Sequence, residues 1–411
     1  MHIVMFADQH AEALGGAQVS VRLQRRCLER AGHTVSIVAP RRVGVDASAG
    51  RDDPAYVDLP AIGLTRDREY SITWPGRRTD PVVDRAMSGR PAPDIVHIQA
   101  EFWGALLGYR YASRHRLPMV QTMHSRIDAG LQATTSFSGV LVPLLNTFRR
   151  LALRGYPGGA AEGTDVWAYL RALAGSAQAV TAPSAHYARR LREHDVFDRI
   201  DVIWNGIDDE VLDQVLAGRP AVRRPGRPRL VWAGRLSAEK RVLPFLRAVA
   251  DADIDADIEV IGDGGQLEAA RRLAEDLGLA GTVRMSGRIA YADALRRIAD
   301  ADALVQTSIG FETQGMTVFE AASFGVPSVL SDPDIAAELG SGSWLVEDAS
   351  AEADRVPALA AALRRAVCDI RGGTAPKPPA DIGERFRQSS RTEAMIEVYE
   401  RVLAAHRAAR S

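Results

Sequence analysis

The fold of this chain is decided by Ser308-Ile-Gly-Phe-Glu-Thr-Gln-Gly-Met-Thr-Val-Phe-Glu-Ala-Ala-Ser-Phe-Gly-Val-Pro327. This stretch follows the apolar run 303–307, which predicts a buried strand, and residues 317–324 have the composition of a helix. We therefore expect a strand, a glycine-containing loop and a helix in succession. That succession is a building unit of parallel α/β sheets.

The start of this predicted helix has the properties of an anion-binding site. The first backbone N–H groups of a helix lack partners within it, and Gly315 would let a ligand approach them closely. Glu312 in the loop and Glu320 one turn into the helix flank the site. Carboxylates accept hydrogen bonds from sugar hydroxyls but repel phosphate, so the pattern suits a ligand with central phosphate and a sugar at each end. Two surface glutamates are the simpler alternative.

A second motif places two cations after another predicted strand. It reads Arg229-Leu-Val-Trp-Ala-Gly-Arg-Leu-Ser-Ala-Glu-Lys-Arg241, in which Gly234 follows the strand and Arg235 and Lys240 flank a turn. Such cations can converge on a diphosphate, with arginine as the fork and lysine as the point charge. Lys240 is one of two lysines among 51 basic residues, which weakens the alternative of a generic exposed charge.

The N-terminal half begins with the strand, helix, strand order of a doubly wound sheet. A strand at 2–6 is followed by Gly15 and Gly16, a helix at 17–31 and a strand at 34–39. The glycine pair would let a phosphate or sugar lie against the backbone at the helix start. The pair is no G-x-G-x-x-G, so we predict no dinucleotide site, and a flexible turn explains it equally well.

A histidine ends another predicted strand of this half, at 118–124. The carboxyl ends of parallel strands line the crevice where such sheets bind ligands, so His124 is a candidate site residue. A structural role explains a lone histidine equally well.

The length of 411 residues predicts two domains, which we place at 1–210 and 211–383, followed by an amphipathic helix at 384–411. The segment 211–228 is rich in proline, glycine and arginine toward its end, and we interpret it as the linker. With 46% hydrophobic and 25% charged residues, the composition is that of a soluble globular protein.

The predicted location follows from the apolar runs. The chain starts directly as a strand, without the basic start and apolar core of a signal peptide, and no run approaches the roughly 18 residues of a transmembrane helix. We expect a cytoplasmic protein, or one held peripherally to the inner face of the plasma membrane.

Charge is unevenly distributed, with +6 over residues 1–200 and −7 over the remainder. Separate partners explain this asymmetry, and so does mutual attraction of the two halves. Residues 137–154 combine an apolar stretch with Arg149, Arg150 and Arg154. Such a segment can lie on an anionic membrane with its arginines at head-group level. A core helix with an arginine-rich exposed edge is the alternative.

Glu312 and Glu320 resemble the E-x7-E signature of family 4 retaining glycosyltransferases, which have the GT-B fold. The other matching positions fall in the family's order along nearly the whole chain: Gly15, Gly16, His124, Arg235 and Lys240. Within the family the chain most resembles diacylglycerol α-glycosyltransferases. That narrower resemblance is carried by Met5-Phe-Ala-Asp8, Asp94-Ile-Val-His-Ile-Gln-Ala-Glu-Phe102 and Glu312-Thr-Gln-Gly315. The chain departs from that subgroup after His124, where Ser125-Arg-Ile-Asp128 replaces the usual aromatics.

The resemblance implies an architecture of two Rossmann-like domains facing a central cleft. The acceptor would bind the domain at 1–210 and the nucleotide sugar the domain at 211–383. The helix at 384–411 would cross back to the first domain.

The resemblance also implies the reaction: a hexosyl group moves, with retention, from a UDP- or GDP-linked sugar to a hydroxyl acceptor such as a glycerolipid. The catalytic positions would be His124, Arg235, Lys240 and Glu312. The donor-binding positions would be Gly15, Gly16, Gly234, Arg288, Ile289, Gly315, Met316, Thr317, Val318 and Glu320. Glu320 would hold the ribose and Glu312 the sugar hydroxyls. The two cations and the helix amides would replace a metal ion, so no cofactor is expected.

Other functions remain open on sequence alone. The acceptor could equally be a soluble metabolite or a polysaccharide precursor. A nucleotide-sugar epimerase and a non-catalytic nucleotide-sugar-binding module would share the donor site. A dehydrogenase would require the glycine fingerprint that this chain lacks. Among the D-x-D pairs only Asp332 and Asp334 follow a candidate strand, and we predict no metal site from them.

Overall fold

The computed structural model describes residues 1–13, 16–43, 53–63, 71–129, 138–156, 162–219, 226–347 and 352–410. It divides the chain into an N-terminal unit, Met1–Gly206 with Gln388–Ser411, and a C-terminal unit, Ile207–Arg387. The chain therefore enters the C-terminal unit four residues before the predicted boundary at 210/211.

In the described residues, the N-terminal unit is built on a seven-stranded parallel sheet with the order β3-β2-β1-β6-β7-β8-β9. A two-stranded antiparallel pair, β4 and β5, lies outside it. The strands are β1 His2–Ala7, β2 Thr34–Pro40, β3 Tyr56–Leu59, β4 Ile62–Gly63, β5 Ser71–Ile72, β6 Ile95–Gln99, β7 Met119–Thr122, β8 Ala179–Ala182 and β9 Ile200–Val202. The helices are α1 Gly16–Arg30, α2 Asp80–Ser88, α3 Trp103–His115, α4 Ser138–Ala152, α5 Val166–Ala174 and α6 Ala185–Glu193.

The core of this unit follows from strands that are apolar on both faces. Every residue of β1 is buried, as expected for a central parallel strand covered by helices on both sides. The C-terminal helix, Gln388–Ala408, packs Met395 and Tyr399 into the same cluster as Ile3 and Met5 of β1. The terminal helix thus belongs to the N-terminal unit.

In the described residues, the C-terminal unit is built on a six-stranded parallel sheet with the order β12-β11-β10-β13-β14-β15. The strands are β10 Arg229–Ala233, β11 Asp257–Ile261, β12 Val283–Gly287, β13 Ala303–Gln306, β14 Ser328–Leu330 and β15 Ser343–Leu345. The helices are α7 Asp209–Ala217, α8 Val242–Ala252, α9 Leu267–Asp276, α10 Tyr291–Ala299, α11 Met316–Ser323, α12 Pro333–Leu339, α13 Glu352–Gly372 and α14 Ile382–Arg385. The expectation of an α/β protein with two doubly wound sheets is confirmed.

Each sheet reverses its strand order at one place, between β1 and β6 in the first and between β10 and β13 in the second. Open α/β sheets bind ligands outside the carboxyl ends of the strands at such a switch point. A ligand site is therefore expected at the loops that follow these four strands.

The interpretation of 211–228 as a linker is wrong over residues 211–217. Helix α7 occupies Asp209–Ala217, and the Asp208 carboxylate accepts from the backbone N–H groups of Glu210 and Val211. Leu212 and Val215 are buried and form the inward-facing side of this helix. The residues that follow are rich in proline and arginine, and their composition indicates a linker. It outweighs the weaker signal of a short helix that is capped by Asp208.

Candidate functional site

The strongest candidate site lies at the switch point of the C-terminal unit. There the Lys240 ammonium forms an ion pair with the Glu312 carboxylate, 72 residues further along the chain. Thr307, just after β13, donates from Oγ1 to the Lys240 carbonyl oxygen at 2.6 Å. The loop after β10 is thus fastened to the loop after β13, and two predicted site residues meet.

The charge of Glu312 is held by its partners. Burial would raise the pKa of Glu312, but the Lys240 ammonium and the Ser308 hydroxyl, which donates at 2.8 Å, lower it further than burial raises it. The pKa of this carboxyl therefore lies below its ordinary value. Glu312 is ionised at neutral pH and can accept hydrogen bonds from ligand hydroxyls.

Arg235 lies in the loop between β10 and Lys240. Its side chain is exposed and, within the part of the chain that the structure describes, makes no hydrogen bond or ion pair. A guanidinium in this position can turn toward an anion without first breaking an internal contact. The structure therefore leaves a forked cation beside the paired one.

The loop after β10 is shaped by two glycines that sequence reasoning did not single out. A Cβ at residue 262 would lie 1.8 Å from the Gly234 carbonyl oxygen, and one at residue 264 would lie 2.5 Å from the Leu236 carbonyl oxygen. Both glycines also have positive φ, 135° and 154°. The available signal was the run Ile261-Gly-Asp-Gly-Gly265 after β11. These glycines let the backbone at 262–264 pack directly against the loop that carries Arg235.

Helix α11 begins at the predicted glycine. Gly315 has φ 78° and ψ 52°, a left-handed conformation that favours glycine, and a Cβ there would lie 2.9 Å from Cδ1 of Ile335. Met316 and Thr317 are partly buried, while Val318 is buried and donates its N–H to the Gly315 carbonyl at 2.9 Å. The backbone turns sharply here, at the carboxyl end of β13.

We expect Gly315→Ala to lower the free energy of unfolding by about 3 kcal/mol, because the new methyl meets Ile335 and the left-handed backbone is strained. Gly310→Ala is the matched control, since Gly310 also has positive φ, 63°, but nothing lies within 4 Å of its Cβ position. Its cost should be about 1 kcal/mol. Urea denaturation measures both, and equal costs would refute the role assigned to the Ile335 contact.

Glu320 lies one turn into α11 and is only 5% exposed. Burial raises the pKa of Glu320 to about 7, although the Tyr291 hydroxyl, which donates to its Oε1 at 2.8 Å, works in the opposite direction. The two glutamates of the predicted signature thus differ: their partners lower the pKa of Glu312, whereas burial raises the pKa of Glu320.

Arg288 and Ile289 follow β12, two strands from β10 in the sheet. Arg288 is exposed, with its Nε 4.0 Å from a carboxylate oxygen of Asp263, and Ile289 is partly buried. They lie at the same edge of the sheet as Lys240 and Glu312. Their assignment to the base of a nucleotide stays a prediction.

In the N-terminal unit, His124 follows β7 and is held by side chains that follow or end β6. Its backbone N–H donates to Oε1 of Glu101, which also accepts from the Ser125 N–H at 3.0 Å. Its imidazole Nε2 lies 3.0 Å from Oε1 of Gln99. Burial lowers the pKa of His124 to about 4, so the ring is neutral at pH 7. Its role toward a ligand stays a prediction.

A second acid lies beside Glu101. Asp8, which follows β1, accepts from the backbone N–H groups of Glu101 and Gly104 at 2.8 Å and of Phe102 at 3.0 Å, at the start of α3. Burial raises the pKa of Asp8 to about 6, and burial together with the Asp8 charge raises the pKa of Glu101 to about 7. Both residues lie at the switch point of the first sheet. Asp8 and Glu101 lie in two of the segments that carry the family resemblance, but the sequence alone assigned neither of them a role.

The predicted glycine pair is only partly visible. Gly15 lies outside the described residues. Gly16 opens α1, is exposed, and has no atom within 4 Å of its Cβ position.

The predicted membrane segment requires a correction at one arginine. The Arg149 side chain is fully buried, so it cannot lie at head-group level, and Arg150 donates to the Gly163 carbonyl. Arg154 is exposed. Three leucines of α4 are instead exposed, with exposed fractions of 41% at Leu141, 58% at Leu144 and 67% at Leu151. Sequence composition could not show this inversion, because the nearby tyrosines Tyr109 and Tyr169, which interact with the Arg149 charge, come from other elements.

Within the described ranges, no group of three or more His, Cys, Asp and Glu side chains is placed to hold a metal ion. The Asp332 carboxylate accepts from the Gly310 and Asp334 backbone N–H groups, at 2.7 Å and 3.0 Å. It thus caps α12 and fixes the loop that precedes α11. Across the same ranges, no helix is long and apolar enough to cross a membrane.

Two family models match the chain: Glycosyltransferase Family 4 over residues 14–211 and Glycosyl transferases group 1 over residues 219–359. The α-monoglucosyldiacylglycerol synthase of Streptococcus pneumoniae is 23% identical over 348 residues, covering 80% of this chain and 70% of that protein. A GDP-mannose-dependent α-(1-6)-phosphatidylinositol dimannoside mannosyltransferase of Mycobacterium tuberculosis is 26% identical over 381 residues, covering 89% and 88%.

Solved structures give the same fold. Sucrose-phosphate synthase from Thermosynechococcus elongatus superposes with a TM-score of 0.68 at 18% identity, covering 98% of this chain and 99% of that one. Anabaena HepE in complex with UDP and glucose superposes with a TM-score of 0.64 at 16% identity, covering 97% and 99%. Together with the two family matches and the order of the motifs, this likeness identifies the chain. It belongs to glycosyltransferase family 4, as a glycosyltransferase of the GT-B fold that acts on a nucleotide sugar.

Proposed function

We propose that this enzyme moves a hexosyl group, with retention of anomeric configuration, from a UDP- or GDP-linked sugar to a hydroxyl of a membrane lipid. The observation that carries the donor half is the Lys240–Glu312 ion pair beside the exposed Arg235 at the switch point. Cations and an ionised carboxylate in one place suit a ligand that joins a diphosphate to a sugar.

The C-terminal unit would hold the donor through three kinds of contact. Arg235, Lys240 and the backbone N–H groups at the start of α11 neutralise the charge that grows on the departing diphosphate. Glu312 accepts from the hydroxyls of the transferred sugar. Glu320 accepts from the ribose hydroxyls. These cations take the place of a metal ion, so the proposed reaction has no metal requirement.

The acceptor is proposed from the relatives and from one surface. Both relatives described above carry the names of enzymes of glycolipid synthesis. In the N-terminal unit, the exposed leucines of α4 continue to Trp74, which is 66% exposed and lies against Phe148 with ring centroids 4.7 Å apart. Such a face can enter the boundary between head groups and acyl chains, with Arg154 at its edge. A soluble metabolite or a polysaccharide precursor is the alternative acceptor.

The test is a transfer assay that pairs UDP- and GDP-sugars with lipid and soluble acceptors, in the presence of EDTA. We expect a lipid product whose anomeric proton, read by NMR, has the configuration of the donor, formed at an undiminished rate. An inverted product would refute retention, and complete loss of activity in EDTA would refute the metal-free scheme. Conversion of the donor without any acceptor would indicate an epimerase or hydrolase.

We expect the double variant Leu144→Ser, Leu151→Ser to bind phosphatidylglycerol vesicles at low salt about tenfold more weakly than the wild type, because each exposed leucine would bury apolar area in the membrane. Leu216→Ser is the matched control, since Leu216 is an exposed leucine, at 41%, on helix α7 of the other unit. Cosedimentation measures the effect. Equal binding by all three proteins would remove α4 from the membrane contact.

A further inference from the structure

Tyr291 connects the loop after β12 to Glu320 of α11. It is the first residue of α10 and closely follows Arg288 and Ile289. Its hydroxyl donates to Oε1 of Glu320 at 2.8 Å, although Glu320 lies 29 residues further along the chain. Tyr291 is not among the residues that the sequence predicts for the donor site. The loop predicted to meet the base and the glutamate predicted to meet the ribose are thus joined by one hydrogen bond.

The two ends of the Tyr291 side chain lie in different environments. The residue as a whole is 38% exposed. Burial and the charge of Glu320 raise the pKa of the hydroxyl well above its ordinary value, and Asp208, which caps α7, acts in the same direction. The hydroxyl therefore keeps its proton and acts as a hydrogen-bond donor. Its end of the side chain is buried beside Glu320, while part of the ring is exposed to solvent.

This hydrogen bond leaves one oxygen of Glu320 for a ligand. The Tyr291 hydroxyl uses one lone pair of Oε1 and none of Oε2. In the part of the chain that the structure describes, no group donates to Oε2, and this atom is not among the buried polar atoms that lack a partner. Oε2 is therefore accessible, although the Glu320 side chain is otherwise buried. The carboxylate is held at one oxygen and presents the other.

We propose that Tyr291 is a positioning residue, whose hydroxyl holds the Glu320 carboxylate so that Oε2 accepts from a ribose hydroxyl of the bound nucleotide. A carboxylate that is already oriented loses less conformational freedom when the ligand binds. Burial raises the pKa of Glu320 to about 7, and the hydrogen bond from Tyr291 acts in the opposite direction. It thus favours the ionised form, which accepts from hydroxyls. The role of Tyr291 rests on the ribose contact proposed for Glu320.

Isothermal titration of Tyr291→Phe with UDP and GDP tests this role, because phenylalanine keeps the ring and removes only the hydroxyl. We expect binding at pH 7 to be about fivefold to tenfold weaker, the equivalent of one hydrogen bond. The 2′,3′-dideoxy forms of the two nucleotides lack the ribose hydroxyls, so Tyr291→Phe and the wild type should bind them equally. Tyr111→Phe is the matched control, since it removes the same group from a buried tyrosine of α3 in the other unit. It should bind UDP and GDP like the wild type.

The dependence of binding on pH separates positioning from packing. Without the Tyr291 hydroxyl, less of Glu320 is ionised at a given pH. The pH at which the nucleotide affinity is half its maximum should therefore rise by about one unit. Comparison with the wild type cancels the titration of the nucleotide phosphates. Weaker binding with an unchanged midpoint would overturn the proposal, and so would an equal loss with the dideoxy nucleotides.

The double variant Tyr291→Phe, Glu320→Gln shows whether Tyr291 acts through Glu320. We expect it to bind UDP and GDP at most about twofold more weakly than Glu320→Gln alone, because the carboxylate that Tyr291 positions is already gone. Additive losses would overturn the positioning role and leave the proposed ribose contact intact. Unchanged binding by Glu320→Gln would instead refute the ribose contact, and the role of Tyr291 with it.

Discussion

Lys240→Met should lower kcat/KM for sugar transfer on the order of 10³-fold, the loss seen when one preorganised donor to a developing negative charge is removed. Methionine keeps the length and the apolar stem of lysine and removes only the ammonium. The proposed diphosphate would then leave without the cation that Glu312 holds in place. Steady-state kinetics with the donor identified in the transfer assay measure the effect.

The sequence provides an unusually clean control for this variant. Lys377 is the other lysine of the chain and is exposed, so Lys377→Met removes the same charge elsewhere and should leave kcat/KM unchanged. Lys240→Met also leaves the partly buried Glu312 without its counter-ion, which destabilises the fold. The double variant Lys240→Met, Glu312→Gln removes both charges and should regain stability without regaining activity. Recovery of activity in that double variant would contradict the role proposed for Lys240.

Glu320→Gln should weaken nucleotide binding by on the order of 10- to 100-fold, because an amide offers one acceptor where the carboxylate offers two, and a hydrogen bond to a charged group contributes about 1.5–3 kcal/mol. Isothermal titration with UDP and GDP measures the loss. Unchanged affinity for both nucleotides would remove Glu320 from the proposed ribose contact.

The same variant should change how stability depends on pH. The pKa of Glu320 is about 7 in the folded protein and near 4.5 in the unfolded chain, so the folded state binds this proton more tightly. The resulting stabilisation is complete below about pH 4.5 and is lost as the pH rises through 7. It amounts to about 3 kcal/mol at most, from 1.36 kcal/mol per pKa unit. Relative to the wild type, Glu320→Gln should therefore gain stability between pH 5 and pH 8.

Glu312→Gln gives the opposite sign and serves as an internal comparison. The pKa of Glu312 is lowered in the folded protein, so its stabilisation is present above the ordinary glutamate pKa and is lost as the pH falls below it. At neutral pH the Glu312→Gln variant should therefore be less stable than the wild type. In acid the free energies of unfolding of the two proteins should approach each other. Urea denaturation across the pH range measures both variants, and parallel curves would contradict the environments described for the two glutamates.

The sequence predicted the elements of the donor site better than their pairing. Strand ends, glycines and charges placed Lys240 and Glu312 in two separate strand–loop–helix units. That the two side chains meet depends on β10 lying beside β13, which local pattern does not reveal. The positions were accessible to sequence reasoning, and the ion pair between them was not.

Two other features lay beyond sequence reasoning for the same reason. Burial of Arg149 depends on aromatic residues brought in by α3 and α5. The composition of residues 137–154 alone does not include these partners, so it indicates a surface charge. The buried acids Asp8 and Glu101 depend on the adjacency of β1 and β6. The helix at Asp209–Ala217 is different, since its Asp208 cap and its apolar spacing were visible in the sequence and were outweighed by the prolines that follow.

The backbone contact between Gly262 and Gly234 limits how this enzyme can diversify. A methyl at position 262 would displace the peptide that carries Arg235, whatever sugar the enzyme uses. Laboratory evolution toward a new donor should therefore recover variants that keep glycine at 262 and 264 while the residues around them change. The substitutions that the pocket tolerates are therefore limited partly by the turn at 262–264, which need not contact the substrate.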